Sequence, residues 1–88
     1  MPRFYFDLFV GSASNCDEAG YEIGSMKAAE IEARRSAGEL ARERLLTVQS
    51  GSPEDIRIEV KELLRKPVLT VTVSIQIERA GLMPSFDL

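Results

Sequence analysis

Histidine and tryptophan are missing from this chain, and cysteine occurs once, as Cys16. The first absence removes the commonest general base, the commonest metal ligand and every Ser-His or Cys-His nucleophile pair. A single cysteine cannot build an intrachain disulfide, so a reducing, cytoplasmic setting is expected. Positive charge is short as well. The 11 Lys and Arg residues stand against 14 Asp and Glu residues, a net charge of -3, whereas neutralising phosphates demands a basic excess. That balance argues against nonspecific nucleic-acid binding. No apolar run approaches the ~20 residues of a membrane-spanning helix. The opening "MPRFYFDLFV" breaks its apolar stretch at Asp7, unlike a secretory leader.

What is present describes an ordinary soluble globular protein, with 44% hydrophobic and 28% charged residues. The 88 residues are read as one small domain over residues 1–79 and a loose C-terminal tail over 80–88, where Gly81 and Pro84 interrupt any pattern. A chain this short buries only a little over ~60% of its unfolded surface, so a partner chain could contribute to its stability.

"LTVTVSIQI" (69–77) alternates without a fault. Leu69, Val71, Val73, Ile75 and Ile77 point one way, and Thr70, Thr72, Ser74 and Gln76 the other. "DIRIEVKEL" (55–63) repeats the device with Ile56, Ile58 and Val60 inward and Arg57, Glu59 and Lys61 outward. In "RFYFDLFV" (3–10), Phe4, Phe6, Leu8 and Val10 share one face and Tyr5, Asp7 and Phe9 the other. "GSASN" (11–15) is turn chemistry. A shorter strand is expected around Cys16, with "DEAG" (17–20) as a turn or bulge and "YEI" (21–23) continuing it. "LRKP" (64–67) is expected to turn the chain, with Pro67 at a turn or just before a strand.

Between these strands, Met26 to about Leu46 is helical by every local test, with Ser25 as N-cap. Met26, Ala29, Ala33, Ala37, Leu40, Ala41 and Leu45 recur at spacings of three and four. Mostly alanine, that stripe allows close approach to a partner surface. Gly38, costing about 1 kcal/mol relative to Ala, is expected to mark the closest contact with the sheet. The order is β-β-α-β-β: a four-stranded antiparallel sheet with one helix packed on one face, the α+β class.

Such a fold leaves one sheet face uncovered. Tyr5, Phe9, Thr70, Thr72 and Ser74 are the candidate interface residues, because aromatics on an open face are unusual while Thr and Ser are ordinary there. The spacing of Asp7, Asp17, Glu18 and Glu22 matches no metal-binding loop. Cys16, with no histidine to activate it, reads as a half-buried structural thiol. The helix arginines alternate with glutamates, as on a solvated helix face. No catalytic residue, metal site or cofactor is expected.

The opening "MPRFYFDL", the "DEAG" turn, the "AAEIEARRSAGELA" helix and the "IRIEVKE…VLTVTV" strands follow in order. Together they resemble the small bacterial DUF6894 family, whose typical members begin M-P-R-Y-F-F and carry an "AR.EA" helix. The resemblance extends to about Val73 and implies no activity, because the family is defined as uncharacterised. The favoured expectation is therefore a non-enzymatic protein-interaction module or small homodimer using the open sheet face or an edge strand. A nucleic-acid-associated accessory protein and an enzyme follow in that order. No membrane partner is expected.

Overall fold

The computed structural model describes residues 2–47 and 53–78; the expected tail lies outside them. Six elements follow in order: β1 (Arg3–Val10), β2 (Ala13–Asn15), β3 (Tyr21–Glu22), α1 (Met26–Thr47), β4 (Glu54–Lys61) and β5 (Pro67–Ile75). The sheet is antiparallel in the order β2-β1-β4-β5, with β3 also paired to β1. The expected second strand is thus two short pieces along one edge of β1. β2 meets residues 8–10 of β1, and β3 meets Arg3 and Phe4. The four residues of "DEAG", poor strand formers, lie in the gap between them.

β1, β4 and β5 turn their apolar alternates to the inner face of the sheet, the side that carries α1. Phe4, Ile58 and Val60 join Ala29, Ala33 and Ala37 in the core, and Phe6, Leu8, Leu69, Val71 and Val73 pack around them. The register places Phe6 beside Val60, Leu8 beside Ile58, and Ile58 beside Val71. Burying a Val or Ile side chain contributes about 1.5–3 kcal/mol, so this layer supplies most of the driving force for folding. Pro67 opens β5 opposite Lys61, at a register shift, where its missing N–H costs least.

α1 begins where the Ser25 hydroxyl accepts the Ala28 N–H at 3.1 Å, the N-cap bond the sequence anticipated. Its alanine row at 29, 33 and 37 is fully buried, so the helix backbone lies close to the sheet. Gly38 corrects an expectation. It is exposed, and a Cβ built there meets nothing within 4 Å. One residue on from Ala37 is a rotation of about 100°, which carries position 38 off the contact row. The helix packs chiefly on β4 and β5. Near its C-terminal end Arg44 forks onto the Glu54 carboxylate, the second arm at 2.7 Å, tying the helix to the start of β4. No described helix is long and apolar enough to cross a membrane.

Candidate functional site

The face turned away from α1 has two unlike halves. Across β1 and β4, charged side chains neutralise one another. Asp7, almost fully buried although it lies on this face, accepts from Lys61 Nζ at 2.8 Å and from the Asp17 backbone N–H at 3.0 Å. Burial alone would raise the Asp7 carboxyl. The hydrogen bonds from Lys61 and Asp17, with the charges of Lys61 and Arg65, outweigh it and hold the group below its ordinary value. Lys61 is raised in turn, chiefly by its bond to Asp7. Glu59 lies between Arg57 at 3.2 Å and Lys61 at 3.8 Å.

Both open-face aromatics are half-buried and capped by cations. The Arg65 guanidinium lies 4.0 Å above the Tyr5 ring, and that of Arg57 lies 4.3 Å above Phe9. Arg65 also donates to the Asp17 carbonyl at 2.9 Å. It does so from a left-handed backbone conformation, φ 62°, which costs a non-glycine residue roughly 1–2 kcal/mol. Its cation–π and hydrogen-bond contacts offset that strain.

Asp17 closes the gap in the broken edge strand. Its carboxylate accepts from the Phe6 N–H at 3.2 Å and the Gly20 N–H at 2.9 Å, so the β1 amide between β2 and β3 is satisfied. Gly20 allows the chain to fold back here. Its φ is +73°, and an added Cβ would come within 3.0 Å of the Phe4 carbonyl oxygen and closer still to Tyr5 and Arg3. The neighbouring Cys16 corrects another expectation. It is exposed rather than half-buried, because its segment leaves the sheet there.

β5 forms the other half. Thr70, Thr72 and Ser74 are exposed and stand opposite Glu59, Arg57 and Asp55. From Pro67 to Ile75 the strand carries no charged residue, and its outer edge pairs with no described strand. Of the five candidate residues, then, Thr70, Thr72 and Ser74 form one row. Phe9 lies two strand spacings away across Arg57, about 10 Å, and Tyr5 lies at the far end beneath Arg65. Sequence alternation assigned all of them to the correct face but missed Asp17, Lys61 and Arg65 as the groups that organise it. The only signal for these was the "DEAG" interruption itself.

Nothing among the curated proteins or the solved structures matches this chain. One family model does, over residues 3–74, described as a domain of unknown function, DUF6894. That span begins with β1 and ends one residue short of the end of β5, taking in the broken edge, the helix and the long edge strand. The chain belongs to the DUF6894 family.

Proposed function

We propose that the protein is a non-enzymatic interaction module that pairs with a second copy of itself through the outer edge of β5. The observation that carries this reading is a nine-residue edge strand, "PVLTVTVSI", without a charge, and with proline only at its first position. Sheet edges that stay solvated are guarded by lysine, proline, bulges or short length. The β1 side of this sheet has short strands and a carboxylate in its gap. β5 has none of these guards along its length beyond Pro67. Antiparallel pairing of two β5 strands about a two-fold axis would join the two sheets into one and satisfy the outward amides. The Thr and Ser row would continue across the join as cross-strand neighbours. A cytoplasmic location belongs to the same reading, since the exposed Cys16 thiol would stay reduced there.

The cation-capped rings weigh against the nucleic-acid alternative. Single-stranded bases stack on free aromatic faces, and here Arg57 and Arg65 occupy them.

Light scattering from low micromolar to near-millimolar concentration tests the pairing. The wild-type chain is expected to move from monomer to dimer mass. The double substitution Thr70→Lys with Ser74→Lys places each new charge opposite an acid of β4, Glu59 or Asp55. The monomer fold therefore keeps favourable cross-strand pairs, while two like-charged edges repel. Dimerisation should weaken at least tenfold, about 1.4 kcal/mol, and Tyr5→Ser and Phe9→Ser should leave it unchanged. A wild-type monomer at every concentration would overturn the reading.

A further inference from the structure

The side of the sheet that carries α1 is only partly roofed. Because the helix packs chiefly on β4 and β5, the inner side of β1 and the broken strand beside it lie next to an open groove of about 1170 Å³. Its floor is apolar. Phe6 and Leu8 are half-buried, and Tyr21 and Ile23 flank them. The rings of Phe6 and Tyr21 meet edge to face at 6.0 Å, with Tyr21 62% exposed. The wall is one helix row spaced by four, Ala28, Glu32, Ser36 and Leu40. That row spans twelve residue steps, about 18 Å, the length of a three-turn helix.

Charge narrows the occupant. Every charged side chain lining the groove is acidic: Asp17, Glu18, Glu22 and Glu32. Asp17 is engaged by backbone amides, Glu32 binds Arg35 at 2.7 Å, and Arg3 lies 3.8 Å from Glu22. Glu18 is in no ion pair among the described residues. Even with both arginines counted, four carboxylates leave the rim negative. Ala28 and Ser36 are small, so a second helix could approach α1 at the usual 8–10 Å.

We propose that this groove receives a short amphipathic helix from a partner protein, with an apolar ridge on the Phe6–Leu8–Ile23 floor and Lys or Arg along its flanks. Seated there, the ligand completes a two-helix layer over the sheet, in the helix-in-groove mode with anchors at i, i+3, i+4 and i+7. The site is separate from the β5 edge, so it stands whether or not the protein dimerises.

The probe is a fluorescein-labelled peptide of about fourteen residues, leucine and alanine on one helical face and lysine on its flanks. Its counterpart replaces each lysine with glutamate. Fluorescence anisotropy at low salt should show saturable binding of the basic peptide, and at least tenfold weaker binding of the acidic one. Ser36→Arg, which fills the groove, and Tyr21→Ala, at its exposed rim, should each weaken the basic peptide at least fivefold, with melting temperatures close to wild type. Glu39→Gln, which makes the same single-unit charge change as Ser36→Arg but outside the groove, should leave affinity within twofold. Equal affinity for both peptides, no binding, or binding indifferent to Ser36→Arg would overturn the proposal. So would preference for a single-stranded oligonucleotide or an anionic vesicle.

Discussion

The two edges of this sheet solve the same physical problem in opposite ways. On the β1 side, the neighbouring strand is cut into pieces of three and two residues. The gap between them is closed by Asp17, and Arg65 reaches across from the β4–β5 turn to hold the excursion down. On the β5 side, nine residues run in one strand with no charge and no described neighbour on the outer edge. Unpaired backbone groups are templates for other strands. One edge is closed by the chain itself at the cost of strain at Arg65. The other has no pairing strand among the described residues.

The sharpest way to break the contrast is to remove the guard. Asp17→Ala leaves the Phe6 and Gly20 amides without their charged acceptor, and hydrogen bonds to charged groups are worth about 1.5–3 kcal/mol. A loss near 3 kcal/mol is expected in urea denaturation, with increased aggregation as the β1 edge opens. Should this variant be as stable as the wild type, the β1 edge is not held by Asp17.

Next in size is Asp7→Asn, expected to cost about 2 kcal/mol at neutral pH through the weakened bond to Lys61. Its sign with pH is fixed. Asp7 titrates below its ordinary 3.8 in the folded chain, so its stabilisation is fully present above about pH 4 and is lost as pH falls through the folded value. Lys61 is raised above 10.5, so its share is present at lower pH and disappears as pH climbs through its folded value. Thermal melts between pH 2 and 7 should show a flatter acid limb for Asp7→Asn than for the wild type. Parallel limbs would separate Asp7 from the acid sensitivity.

The smallest effect serves as the control. Gly38→Ala touches neither edge and has open space for its methyl. It should stabilise α1 by about 0.5–1 kcal/mol without altering the oligomeric state. A destabilised Gly38→Ala variant would mean that position 38 faces a surface after all.

These contrasts also explain what the sequence made legible. Alternation in 3–10, 55–63 and 69–77 assigns a face to each side chain, and the register agrees with it strand by strand. The "DEAG" break was visible because acids and glycine are poor strand formers. Alternation says nothing, however, about depth on a face. Asp7 reads as a solvated residue until Asp17, ten positions on, and Lys61, from another strand, close around it. The displacement of α1 towards β4 and β5 was equally hidden, because a row of alanines fits any apolar surface. Gly38 misled for a similar reason: a small residue in a helix marks either a close contact or open solvent, and only the rotation relative to the buried row decides between them.

Amide hydrogen exchange, followed residue by residue in β5 across a range of protein concentrations, tests the central claim most directly. Self-pairing predicts that the alternate β5 amides pointing away from β4 become protected as concentration rises, while those bonded to β4 stay protected throughout. Rapid exchange of the outward set, identical from dilute to concentrated solution, would contradict it.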